Sequence, residues 1–200
     1  MKKIINYEER KKIAKRNQLI VGILLIFLMI FSTIGFAFNF NGNENDTEKI
    51  KYKDIEFVRD VNGYWTFNFN SNKFYTLYNP QEVSDIQFST SENIEKYNNK
   101  PLYFVGNVGD GFSELYRSLD NYALRISNAC LDKECKENYP IKNCDSDNII
   151  IIRNIIEIED MNIKEEIISE KNCVYITVKK ENEAKYADAY LFSLLDIKWI

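Results

Sequence analysis

The sequence predicts an α/β (or α+β) domain carried behind an N-terminal transmembrane helix. Three observations predict it. Residues 19–38 form an uncharged run, a period-two pattern begins near Tyr52, and strand-like runs alternate with helix-spaced ones between residues 102 and 195. The organisation expected is a basic cytoplasmic tail over 1–18, a transmembrane helix over 19–38, a polar tether over 39–50 and an extracytoplasmic domain over 51–200.

The first element rests on length and composition. Twenty helical residues rise roughly 30 Å, the thickness of a bilayer's hydrocarbon core. Fourteen of residues 19–38 are Leu, Ile, Val or Phe, which favours insertion by an upper bound of roughly 4–8 kcal/mol. Lys2, Lys3, Arg10, Lys11, Lys12, Lys15 and Arg16 precede the run, offset by Glu8 and Glu9, and no Lys or Arg follows it until Lys49. The positive-inside rule then places the N-terminus in the cytoplasm and the C-terminal domain outside the cell membrane. Two other readings compete. Gly35-Phe36-Ala37 offers small residues for signal-peptide cleavage, but the run exceeds the usual 7–15-residue signal core. Lys15-Arg16-Asn17-Gln18 faintly resembles a pilin leader site, but lacks the small residue before the cut and an acid early in the helix.

Residues 39–47 carry Gly42 and five Asn or Asp residues, the composition of a flexible tether. Ile55-Glu56-Phe57-Val58, Tyr64-Trp65-Thr66-Phe67-Asn68-Phe69 and Phe74-Tyr75-Thr76-Leu77 then read as a three-stranded antiparallel meander. Asn62-Gly63 supplies a type I′ turn signal, and Asn70-Ser71-Asn72 the second turn. Asn79-Pro80-Gln81-Glu82 has the form of a helix start.

A strand-helix-strand-strand-helix layer is expected after that. Leu102-Tyr103-Phe104-Val105 is a short buried strand ending at Gly106. Phe112, Leu115, Tyr116, Leu119, Tyr122, Ala123 and Ile126 fall on one helical face, with Asp110 as N-cap. Ile149-Ile150-Ile151-Ile152 is a β-branched run typical of a central strand, and Val174-Tyr175-Ile176-Thr177-Val178 is another. Ala184, Ala187, Tyr190, Leu191, Leu194 and Leu195 mark a closing amphipathic helix with Trp199 near its end.

The four cysteines, Cys130, Cys135, Cys144 and Cys173, all lie on the predicted outer side. An even number in an oxidising compartment points to two disulfides, with three connectivities open. A Cys₄ zinc site and free thiols are the alternatives, but the spacing lacks paired C-x-x-C turns. Their expected role is to tie down the polar loop 129–147. The tail carries net charge +5 and the whole chain −4, so the remainder is −9. Such a domain is a poor candidate for nucleic acid or anionic lipid headgroups. Asn45-Asp46-Thr47 matches the N-glycosylation acceptor, making Asn45 a possible glycosylation site.

No catalytic, cofactor or metal constellation emerges. Gly106-Asn107-Val108-Gly109-Asp110-Gly111 sits between strand and helix, where phosphate loops sit. Its spacing is not the dinucleotide fingerprint, no Gly-Lys-Ser/Thr follows, and Asp110 opposes an anion. A tight turn capped by Asp110 is preferred. Asp145, Asp147 and Asn148 lack the ligand frame of a calcium loop. Glu157, Glu159 and Asp160 offer a carboxylate pair for glycoside hydrolysis, but alternating acids usually form the wet face of a strand. The chain has no His, which removes Ser-His and Cys-His pairs. Ser113, Ser118 and Ser127 fall on the predicted helix with no evident base; a Ser-Lys arrangement stays open, since Lys is plentiful, but nothing singles one out. Tyr64, Trp65, Phe67, Phe69, Phe74, Tyr75 and Tyr78 form either a binding platform or cross-strand packing, the latter preferred.

Ala123-Leu124-Arg125-Ile126, Ala129-Cys130, Cys135, Pro140-Ile141-Lys142-Asn143-Cys144 and Asp147-Asn148-Ile149-Ile150 together resemble a segment of uncharacterised archaeal single-pass membrane proteins with a cysteine-bearing extracytoplasmic domain. The resemblance implies an anchored outer domain and no activity. The expectation that follows is an anchored interaction or accessory protein, more a binding module than an enzyme. Its partners would be the bilayer, through residues 19–38, and a membrane protein or a second copy of itself. An anchored hydrolase or glycan-binding enzyme using carboxylates, and a pilin-like assembly subunit, are the alternatives.

Overall fold

Helix α1 is continuous over Tyr7–Phe40, 34 residues without a proline, in a computed structural model of the chain. The structure describes residues 7–40, 48–86, 88, 90, 92–106, 108–133, 135, 138–155 and 164–197. Within α1, Lys11–Phe31 is long and apolar enough to cross a membrane. Its Leu, Ile, Val and Phe side chains are exposed on every face, so they find no protein core of their own. The chain divides into two units, Met1–Thr47 and Glu48–Ile200, and the second carries all of the sheet structure.

Unit two begins with an antiparallel meander of four strands, one more than the alternation predicts: β1 (Lys49–Tyr52), β2 (Ile55–Arg59), β3 (Trp65–Phe69) and β4 (Asn72–Thr76). Lys49-Ile50-Lys51-Tyr52 reads as polar in sequence because its outward face is lysine. Paired with β2 (Ile50 opposite Phe57), it becomes an edge strand whose lysines discourage further pairing. The turns exchange roles relative to expectation. Asn70 and Ser71 both adopt positive φ (47° and 66°), the type I′ requirement, whereas in the Asn62-Gly63 connection it is Gly63 that does (φ 86°). That longer connection is held by Asp60, whose Oδ1 accepts from the amides of Asn62 and Tyr64, both at 2.9 Å. At Asn79 the predicted helix start forms its capping box: Asn79 Oδ1 accepts from the Gln81 and Glu82 amides, and Glu82 Oε2 accepts from the Asn79 amide. The turn then stops in i→i+3 bonds at Ser84 and Ile86 instead of propagating into a helix.

The second sheet has five strands in the order β6-β5-β7-β9-β8: β5 (Pro101–Val105), β6 (Arg125–Asn128), β7 (Asn148–Asn154), β8 (Glu166–Glu170) and β9 (Cys173–Val178). β6, β5, β7 and β9 run parallel, and β8 closes the edge antiparallel to β9. The isoleucine run is central, as its double-sided burial requires. The layer is therefore mixed α/β, as the sequence predicts. Helix α2 (Asp110–Leu119) joins β5 to β6, and α3 (Glu183–Leu194) follows β9. The helical face expected to continue through Ile126 ends at Leu119. There the backbone bonds Asn99 N–Tyr122 O and Leu124 N–Lys100 O draw the chain alongside the start of β5, and Ile126 joins β6. The Glu157–Asp160 carboxylates, Asn45, Asn107 and Trp199 lie outside the described residues.

Residues 187–194 of α3 are all buried, so α3 is not amphipathic. It lies between the two sheets. Phe192 packs on Phe57 and Phe67 of the meander (centroids 6.0 and 5.8 Å), while Ala187, Leu191 and Leu194 share a core with Leu102, Ile150 and Val174 of the mixed sheet. The opposite face of the mixed sheet buries Tyr103, Ile149, Ile151 and Cys173 beneath the 129–147 loop. Two disulfides hold that loop, Cys130–Cys135 and Cys144–Cys173, which resolves the connectivity. The second fastens the loop to the first residue of β9.

Candidate functional site

The glycine loop after β5 places the α2 N-terminus at the carboxyl end of the parallel strands, next to the point where the strand order reverses. Open α/β sheets bind ligands there. In this molecule the place is filled from within. Glu183, the first residue of α3, is buried, and its carboxylate lies against Gly109 at the start of α2, where the backbone amides of Gly111 and Asp110 favour its charged form. A Cβ at Gly109 would displace that carboxylate and one at Gly111 would press on the Glu183 backbone at 3.0 Å, so the glycines serve close helix-to-helix contact. The N-cap is Gly109, without a side-chain cap bond; Asp110 is the first helical residue, not the cap expected. Burial raises the Glu183 pKa, and the charge of Asp110 raises it further, against the two amides. The internal anion removes the phosphate-loop reading more firmly than spacing does.

On the outer side of α2 lies a cleft of about 510 Å³, lined by Tyr64, Leu77, Asp110, Ser113, Glu114 and Arg117, with Phe112 and Tyr116 beside them. Each lining residue is placed by a local cause. Asp110, Ser113, Glu114 and Arg117 recur at three- and four-residue spacing and share one helical face. The Asp60-braced loop presents Tyr64, over whose ring the Arg117 guanidinium sits at 4.7 Å. Arg117 also pairs with Glu114 Oε1. Leu77 marks the exit of β4.

Beneath the cleft the chain buries a second carboxylate. Asp188 of α3 is fully buried and its Oδ2 accepts from the amides of Leu77 and Tyr78, at 3.0 and 2.9 Å. These bonds tie the helix layer to the end of β4. Burial pushes the Asp188 pKa well up and the charge of Glu114 adds to it, opposed by the two amides and Arg117. Glu114 is likewise raised, first by burial and then by Asp110, with Arg117 pulling the other way. The arrangement is two perturbed carboxyl groups, Glu114 in the lining of an aromatic-walled cleft and Asp188 buried behind the Leu77 that also lines it, the kind of grouping that marks functional sites.

Composition alone did not single out Glu114, Glu183 or Asp188. Asp188 had a signal: a charge between Ala187 and Ala189 in a run otherwise bound for the core. Glu114 had a weaker one, standing one residue before Leu115 on the buried side of the helix.

The other sequence candidates disperse. Asp147 pairs with Lys142 (3.0 Å) and Asp145 with Lys171 (2.7 Å), while Asn148 opens β7. No group of three or more metal-ligating side chains gathers among the described residues. Ser113 Oγ donates to the Gly109 carbonyl (3.0 Å), Ser118 is buried, and Ser127 is on β6. Trp65, Phe67 and Phe74 are core residues, with Phe67 stacked on Phe74 at 5.3 Å, so packing claims the centre of the aromatic set. The loop face adds a cluster absent from the sequence reading. Arg125 donates to Tyr103 Oη (2.9 Å) and Lys142 Nζ lies 4.2 Å from the Tyr103 ring centroid. Comparison with family models, with curated proteins and with solved structures finds no match for this chain.

Proposed function

We propose that the chain is a single-pass membrane protein that holds its disulfide-bonded domain at the outer face of the cell membrane as an interaction or accessory subunit. The observation that carries the reading is the uncharged stretch Leu19–Phe31 of α1, whose large apolar side chains are exposed and which is preceded by a cluster of Lys and Arg, within a segment long and apolar enough to cross a membrane. A bilayer is the environment that covers such a surface, and the basic flank orients it N-terminus inward. The two disulfides support the outward placement, since they persist in oxidising compartments. The acidic charge of the domain favours a protein partner over nucleic acid. Gentle extraction, crosslinking and mass spectrometry of native membranes test the proposal. A stoichiometric membrane partner, or a self-crosslinked oligomer, is the expected result. Recovery of uncrosslinked monomer alone sinks it.

A second reading, an anchored hydrolase or glycan-binding protein, has one observation in its favour: the perturbed Glu114 carboxyl in a cleft flanked by Tyr64 and Tyr116. Saturable binding of a soluble oligosaccharide, abolished in Glu114→Gln, would support it over the accessory role.

A further inference from the structure

Glu114 of α2 lines the cleft together with Leu77, and the Leu77 amide donates to Asp188 of α3, so both acidic residues come to the end of β4, with too few donors for two carboxylates. Asp188 Oδ2 takes the Leu77 and Tyr78 amides, and Glu114 Oε1 takes Arg117. The remaining oxygens, Glu114 Oε2 and Asp188 Oδ1, are buried and accept no hydrogen bond from any described residue. A buried carboxylate oxygen without a donor is costly. Both atoms have essentially no accessible surface, so neither water nor a ligand reaches them in this conformation. A proton does.

The surrounding charges point the same way. Facing the pair are Asp110 and Arg117 from α2 and the two backbone amides at the end of β4; Tyr64, from the β2–β3 loop, engages Arg117. One guanidinium thus serves three carboxylates, and a second full charge on the pair has no counter-ion. We propose that Glu114 and Asp188 share one proton and form a pH-sensitive latch that holds α2, α3 and the chain leaving β4 together beneath the cleft.

The latch has a defined direction. The folded pair retains a proton that the unfolded chain releases above the ordinary carboxylate range, about 4. The native state therefore binds more protons, and stability falls as pH rises from that range until the folded pair itself ionises. One retained proton corresponds to a tenfold rise in the unfolding constant per pH unit. When the proton leaves, like charges face each other across α2 and α3. Asp188 is held by two amides, so Glu114, which lines the cleft, is the side chain that yields outward.

Asp188→Asn is the discriminating variant. Its amide oxygen still accepts from Leu77 and Tyr78, and its NH₂ donates permanently to Glu114, standing in for the shared proton. Urea unfolding of the full chain in detergent, followed by tryptophan fluorescence between pH 5 and 9, reads the difference. The expected result is a wild-type unfolding constant that climbs relative to Asp188→Asn by up to tenfold per pH unit, leaving the variant the more stable protein at the alkaline end. Glu114→Gln should remove the same slope, and the double variant should remove no more than either single one. Loss of the slope in either folded variant supports the latch. Retention of the wild-type slope by both, or failure of both to fold at every pH, overturns it.

Discussion

Glu183 shows how one side chain can convert a ligand-binding geometry into a packing one. The first amides of a helix carry roughly half a positive charge and no intrahelical acceptor. At α2 they receive a carboxylate from the neighbouring helix, placed there because Gly109 and Gly111 let the two helix starts approach. Glu183→Ala should lower stability by about 1–2 kcal/mol, the scale of a lost N-terminal cap, with Glu183→Gln recovering part of it. Denaturant unfolding at neutral pH measures both; an alanine variant as stable as the wild type would show that the contact is incidental. Tyr103 is a residue-scale case of the opposite sign. Burial alone would raise its pKa, but hydrogen bonds from Lys142 and Arg125 and their positive charges outweigh it and bring the phenol below its usual value. In an alkaline absorbance titration Tyr103 should ionise below the ordinary tyrosine range of about 10. Tyr103→Phe should delete that early step and Lys142→Met should move it upward. Because the folded pKa is the lower one, the cluster's contribution is complete above the ordinary tyrosine range and lost as pH falls through the folded value.

The disulfides separate at the scale of elements. Cys144–Cys173 closes a loop between residues 29 apart and pins the loop to β9, whereas Cys130–Cys135 spans five. Loop-closure entropy assigns about 3.6 kcal/mol to the longer and about 2.2 kcal/mol to the shorter. The paired serine variants Cys144→Ser/Cys173→Ser should therefore lose more stability than Cys130→Ser/Cys135→Ser, and a reversed order in thermal unfolding would refute the entropic account. Elements were legible in the sequence where one local pattern decided them. The Ile149–Ile152 run, the β9 strand and the aromatic meander strands carry their own periodicity. β1, β6 and the one-turn stop after Asn79 do not, because a neighbouring backbone decides them: β2 recruits the lysine strand, and β5 recruits Ile126 from what reads as helix. α3 was found but misread, since a helix with sheets on both sides loses the polar stripe that amphipathic spacing assumes. The site residues were hidden for a related reason. Glu114, Glu183 and Asp188 lie in different elements or on different turns, and only tertiary packing gives each its surroundings: Glu183 the start of α2, Asp188 the amides leaving β4, and Glu114 the cleft beside Leu77.

Four layers make up the second unit of the molecule: the disulfide-bonded loop, the mixed sheet, the helical pair and the meander. Its apolar residues find partners within those layers, and isolated exposed ones such as Val61 and Leu124 are ordinary. The described side chains of the first unit have no such internal solution. Leu19, Ile20, Val21, Ile23, Leu24, Leu25, Ile26, Phe27 and Leu28 follow one another with more than half of each surface exposed, a patch no water-soluble helix sustains. Under the proposed function the two units face two solvents, lipid for one and water for the other. A charge placed at the centre of the apolar segment tests that resolution directly. Leu24→Arg together with Leu28→Arg should oppose insertion by about 2.5–3.5 kcal/mol per residue, close to the whole favourable sum expected for the span. Fractionation after carbonate extraction should then move the protein from the membrane pellet to the soluble phase. The domain's two disulfides provide an independent readout, because a chain that no longer inserts stays in the reducing cytoplasm with its four cysteines open to alkylation. A double-arginine chain that remained in the pellet with both disulfides formed would mean that something other than α1 holds this domain at the membrane.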